Sequence, residues 1–137
     1  MLMNAQRMFE AMKRDGLDAV VATSPENVTY TSGFWSMSQW IRRGPQAYVL
    51  TPREGRGEQA IISSTGALDL IAEQDVPVKD VRRYGFFAVE RDACAENDES
   101  NRRFISLLDE DDCGDAVAAL VSAIKDRGLE SGCLGVD

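Results

Sequence analysis

The sequence predicts an α/β layered domain built on a mixed sheet, and two observations carry that prediction. The runs at 47–51 (AYVLT) and 59–63 (QAIIS) flank the Pro- and Gly-punctuated PREGRGE and read as an antiparallel hairpin. Near each end of the chain, an amphipathic helix runs into Gly-Leu and then into a short strand, at Gly16-Leu17 and again at Gly128-Leu129. Helix-to-strand junctions of that kind lay strands on a helical layer, and the hairpin makes the sheet mixed instead of purely parallel.

Each element follows from local chemistry. Residues 4–15 form a helix: Asn4 caps it, Met8, Phe9 and Met12 make an apolar stripe at helical spacing, and Gly16 ends it. Leu17 is placed to fold back on the last turn. Residues 18–23 are a β-branched, apolar run of strand length. Ser24-Pro25-Glu26 then reads as a helix start, with a hydroxyl cap, Pro at the first helical position and an acid in the first turn. Thr31-Ser32-Gly33-Phe34 stops that helix, and 35–45 (WSMSQWIRRGP) reads as a loop leading to the hairpin.

After the hairpin, Ser64 or Thr65 is expected to cap a helix through Gln74 with Leu68 and Ile71 facing inward, until Pro77 blocks it. Residues 78–84 form a strand interrupted by Lys79, Arg82 and Arg83. The acidic, weakly periodic stretch 90–112 reads as a surface excursion with a short helical piece at 102–108. Residues 115–127 form a second long helix with Val117, Leu120, Val121 and Ile124 on its buried face and Leu120 as the core anchor. Residues 133–136 complete five strand candidates.

Composition narrows the function classes. A chain of 137 residues, 44% hydrophobic and 28% charged, is an ordinary single globular domain. A net charge of −8 repels phosphate backbones, which argues against nucleic acid as the main partner. Cys94, Cys113 and Cys133 are odd in number and widely spaced, as expected of free thiols in the cytoplasm, and no apolar run reaches membrane-spanning length.

No catalytic set is legible. The sequence has no His, so a Ser or Cys nucleophile lacks its usual base, and neither a GxSxG elbow nor a phosphate-binding Gly loop is present. Asp109-Glu110-Asp111-Asp112, with Asp115, offers a fragment of a calcium loop without its closing Glu; the set reads better as a solvated loop before a helix. Asp18 and Asp137 are the strand-associated carboxylates a two-metal nuclease would need, and they read more simply as strand-boundary residues. Segment 35–45 is the candidate for function. It sets two indoles beside two guanidiniums, a planar fork for a carboxylate next to an apolar wall. The competing reading is that Trp35 plugs the core and Arg42 and Arg43 are solvated edge charges.

The order helix, Gly16, strand, Ser-Pro-Glu-Asn turn, Tyr30 and Ser-Gly-Phe resembles the opening of the creatinase/prolidase N-terminal domain, found in aminopeptidase P, prolidase and creatinase. The resemblance is strongest over 12–51 and fits 59–81 with less specific motifs. It implies a three-layer α/β/α domain with a roughly five-stranded mixed sheet and a ribonuclease H-like motif over residues 1–137. It also implies a separate catalytic domain beyond residue 137, where two Asp, one His and two Glu hold two divalent metal ions; none of those ligands can be assigned here. Leu134-Gly135-Val136-Asp137 resembles the strand that closes the N-domain. From the resemblance follow a non-catalytic role in this chain, a homodimer of the full-length protein and a small-molecule or dipeptide substrate. In such enzymes the loop matching 35–45 enters a partner subunit's pocket, which makes Trp40, Arg42 and Arg43 substrate-binding candidates in trans. The alternatives are a free-standing acidic α/β interaction module and, more weakly, a nucleotide binder lacking its Gly-rich turn.

Overall fold

The computed structural model describes residues 2–42, 47–90 and 98–137, with the side chain of Arg42 outside that description. Helix α1 (Ala5–Asp15) starts at Asn4, whose side chain accepts from the Arg7 N–H, and stops at Gly16 with φ of 70°. The left-handed turn at Gly16 lets the Leu17 N–H donate to the Met12 carbonyl at 2.8 Å, which delivers the chain into strand β1 (Ala19–Ala22). Helix α2 (Pro25–Ser32) is capped by Ser24 and closed by Gly33 at φ 80°, as its local residues require. These junctions fold as their sequence predicts.

Strands β2 (Ala47–Pro52) and β3 (Ala60–Ser64) form the expected antiparallel hairpin, and β2 also pairs antiparallel with β1. Strand β4 (Asp80–Tyr84) lies parallel to β3, and β5 (Leu134–Val136) lies parallel to β1. The sheet order is β4-β3-β2-β1-β5. All strands but β2 therefore run the same way, and their carboxyl ends share one edge with the start of β2.

Side-chain alternation sends residues to two cores. One face carries Val49 and Ile61 against Val28 of α2, Phe34, and the helices α4 (Leu68–Glu73) and α5 (Glu99–Asp109). The other carries Val21, Leu50 and Ile62 against α6 (Ala116–Asp126) and Leu129. The result is the three-layer α/β/α arrangement with a mixed five-stranded sheet.

Several expectations are corrected. Segment 35–45 is not only a loop: it contains helix α3 (Met37–Arg42). Ser64 makes no side-chain cap; the chain turns through a 3₁₀ segment, Thr65–Ala67, before α4 begins. The Thr65 hydroxyl instead donates to the Gly85 carbonyl at 2.5 Å, which ties the turn to the end of β4. The acidic stretch hides a core helix, since α5 begins before the expected piece and buries Leu107 and Leu108. On α6 the inward residues are Ala119 and Ala123, whereas Leu120 and Ile124 are half-buried and Val117 is 62% exposed. Small side chains let that helix lie close on the sheet, and the larger apolar ones are pushed to its flanks.

Candidate functional site

Helix α3 sits at the sheet edge where β1, β3, β4 and β5 end. It is reached through Phe34, which is buried and takes the core position that the competing reading gave to Trp35. Trp35 itself is 43% exposed. Its backbone is held by the side-chain amide of Gln74, just past α4: the Trp35 N–H donates to Oε1 at 2.8 Å, and Nε2 donates to the Trp35 carbonyl at 2.7 Å.

The short helix is inside out. Its inward residue Gln39 is only 1% exposed and donates from Nε2 to the Ala47 carbonyl at 3.3 Å. Ser36, just before the helix, is also buried, and its hydroxyl lies 2.8 Å from that of Ser38. Its outward side, apart from the exposed Ser38, is apolar: Met37, Trp40 and Ile41 are 56%, 40% and 71% exposed. Single exposed apolar residues need no explanation, but a helix that turns amides inward and hydrocarbon outward reverses the usual pattern. Sequence reasoning found Trp40 and missed Met37, Ile41 and the polar underside. The available signal was the alternation of Ser and Gln with large apolar residues in SMSQWI.

Of the predicted site residues, Trp40 stands on this outward face. Arg42 ends α3, and its side chain lies outside the described residues, as do Arg43 and the rest of 43–46. Cys94 also falls outside them, while Cys113 is half-buried and Cys133 exposed, both as free thiols.

The other carboxylate candidates have structural partners. Asp18 precedes β1 and Asp137 follows β5, so on parallel strands they stand at opposite edges of the sheet and do not converge. Asp18 accepts from the Cys133 N–H at 3.0 Å and pairs with Arg56 at 3.3 Å and Arg53 at 3.4 Å; the Cys133 bond first, then Arg56, holds its carboxyl below the ordinary range. Asp137 accepts from the Ser24 hydroxyl at 2.5 Å, the Asn27 amide at 2.5 Å and the Thr23 N–H at 2.6 Å. Burial works to raise its pKa, and the bonds from Ser24, Asn27 and Thr23 outweigh it, holding the carboxyl well below the usual carboxylate range. In the acidic loop, Asp112 accepts from the Gly114 N–H at 2.8 Å, and Asp115 caps α6 through Val117 and Ala118.

Among the described residues no three His, Cys, Asp or Glu side chains gather where they could hold a metal ion. The described residues thus do not fit the divalent ions that the resemblance places in a catalytic domain. No helix of the described residues is long and apolar enough to cross a membrane.

Fold and site together define a class: a three-layer α/β/α domain whose conspicuous surface is a short inverted helix at one sheet edge. A family model described as the creatinase/prolidase N-terminal domain matches residues 5–137, and the chain belongs to that family. No match was found among curated proteins. Among solved structures, the prolidase from Pyrococcus horikoshii OT3 is 20% identical over 60% of this chain and 20% of that one, with a TM-score of 0.45. The aminopeptidase P of Streptococcus thermophilus is 19% identical, covering 97% of this chain and 89% of that one, at a TM-score of 0.40. An Xaa-Pro aminopeptidase from Streptococcus pyogenes is 17% identical over 97% and 88% of the two chains, at 0.44. The chain thus spans a fifth of the length of the prolidase it matches.

Proposed function

We propose that this chain is the non-catalytic N-terminal domain of a C–N hydrolase, an Xaa-Pro peptidase or a creatinase-like enzyme, whose catalytic domain follows residue 137. Its work is to support a homodimer and to help bind or gate a small-molecule or dipeptide substrate at the partner subunit's active site. The observation that carries the reading is the inverted helix α3, which offers Met37, Trp40 and Ile41 outward from a polar seat. An apolar surface of this kind is suited to being covered by protein in an assembly.

Within the reading, Arg42 and Arg43 supply the guanidinium for a substrate carboxylate, and Trp40 keeps water from the pocket. A domain rich in acidic metal ligands activates water well and holds a carboxylate poorly, so a cation brought from outside completes it. The exposed free thiol of Cys133 suits the reducing cytoplasm.

Steady-state kinetics of the full-length protein test the proposal. Losing a charge-assisted hydrogen bond removes about 1.5–3 kcal/mol, so Arg42→Ala or Arg43→Ala should lower kcat/KM by roughly ten- to a hundred-fold at unchanged metal content. Wild-type kcat/KM in both single variants and the double variant would show the segment to be only a connection.

A further inference from the structure

The underside of α3 holds a second feature, independent of the reading above. Among the described residues, Ser63 Oγ is the only buried side-chain oxygen or nitrogen without a hydrogen-bond partner. Ser63 is completely buried near the end of β3, next to Ile61 and Ile62, where an alanine would meet the same neighbours without a polar atom. Folded proteins pair nearly all such groups, with protein or with ordered water, because an orphan hydroxyl bears its full desolvation penalty.

Ser63 lines a small cavity of about 10 Å³ between α3 and the sheet. Ser36, Ser38 and Gln39 line it from the α3 side, while Phe34, Ala47 and Ala67 supply its apolar wall. That volume is about one water molecule by this measure, and a buried water needs two to four polar partners. The cavity provides them. Gln39 gives its Nε2 to Ala47 and brings a side-chain carbonyl as a further acceptor, and the Ser36–Ser38 pair shares one hydrogen bond between two hydroxyls, leaving a second proton to donate.

We propose that this cavity binds one ordered water molecule, bridging Ser63 Oγ of the sheet to Gln39 and the serine hydroxyls beneath α3. The water completes the seat of the helix. It explains why the side of α3 that faces the protein is polar: the helix is joined to the sheet by amide, hydroxyl and solvent, and its hydrocarbon is left for the outside.

A crystal structure of the 137-residue chain, at a resolution that shows ordered solvent, tests the site. The expected result is a solvent peak at about 2.6–3.2 Å from Ser63 Oγ and from at least one of Gln39, Ser36 and Ser38. A cavity without such a peak overturns the proposal. Thermal unfolding of Ser63→Ala gives a second readout with opposite signs for the two cases. A bridging water makes the variant less stable, with Tm lower by about 2–6 °C. An unchanged or raised Tm, as expected when an orphan hydroxyl is removed, overturns Ser63 as a ligand. If Ser63→Ala does not fold, the wild-type density alone decides.

Discussion

Gln74 holds Trp35 from both sides, its carboxamide pairing with the Trp35 N–H at 2.8 Å and the Trp35 carbonyl at 2.7 Å across 39 residues of sequence. The pair mimics a strand ladder with a side chain. It fixes the entrance of α3 to the end of α4, so the inverted helix is anchored at its start by Gln74 and along its underside by Gln39.

Gln74→Ala should therefore loosen α3 before it loosens the domain. Both bonds are solvent-exposed, so the expected loss of global stability is small, about 1 kcal/mol. Amide hydrogen exchange should speed up selectively at Trp35 and through α3, while the amides of β2 and β3 keep their protection. Unchanged exchange at Trp35 would mean that the helix is held by other contacts.

A charge network locks the opposite part of the fold. Asp80 at the start of β4 accepts from Arg127 at 2.6 Å and from Arg82 at 3.1 Å. The Arg127 side chain is only 8% exposed and also donates to the carbonyls of Glu58 and Ala123, which joins hairpin, strand and helix. Asp80→Ala leaves a nearly buried guanidinium without its carboxylate. Breaking fully buried pairs costs about 3–5 kcal/mol; with Asp80 itself partly exposed, urea unfolding should show about 2–3 kcal/mol. A change under about 0.5 kcal/mol would place the network among ordinary surface pairs.

Acid should unfold the domain through three carboxylates. At Asp80 burial works upward on the pKa and the bonds from Arg82 and Arg127 outweigh it, so the net shift is downward; Asp18 and Asp137 are also shifted downward. A carboxyl whose folded pKa lies below its unfolded value of about 3.9 stabilises the fold above that pH, and the contribution is lost as pH falls through the folded pKa. Stability should be flat from neutrality to about pH 5 and fall progressively below it. Asp137→Asn should lower stability at neutral pH and make the acid limb shallower. A melt profile of Asp137→Asn parallel to wild type down to pH 2.5, on the order of the acid limit of such scans, would contradict the assignment.

Helix α6 makes a fourth prediction through its small residues. Ala119 and Ala123 are fully buried against the sheet, so Ala119→Leu overpacks the contact and should cost about 1–3 kcal/mol. Val117→Ala, on the exposed flank, should stay within about 0.5 kcal/mol of wild type. The reverse order would restore the sequence-based assignment of the face.

That assignment held for Leu120 and Ile124, which pack on the core, and failed for Val117 and Val121, which face outward, for a physical reason. Val117, Leu120, Val121 and Ile124 satisfy helical spacing as well as Ala116, Ala119, Leu120 and Ala123 do, and hydrophobicity favours the larger set. Which stripe faces inward depends on how close the helix must come to the sheet, a tertiary distance that no local pattern contains. The caps were legible because they are local chemistry: Asn4 with Gly16 and Ser24 with Gly33 set both helices to the residue. Helix α5 was legible only in part, since Leu107 and Leu108 lie among charges and are recruited by contact with α4. At the site, Trp40 stood out by composition, but no local pattern marks Ser36, Gln39 and Ser63 as buried; only the fold does.

The proposed action of α3 at a site in another subunit is tested directly by mixing two variants in one dimer. Two full-length variants are co-expressed with different tags, one carrying Trp40→Ala with Arg42→Ala and Arg43→Ala, the other inactivated in its catalytic domain alone. In the mixed dimer, the intact catalytic domain of the first subunit faces the intact α3 of the second. Purified by both tags, that dimer should recover kcat/KM per intact site close to wild type, although each parent homodimer is impaired. A mixed dimer no more active than the α3 variant by itself would contradict action in trans.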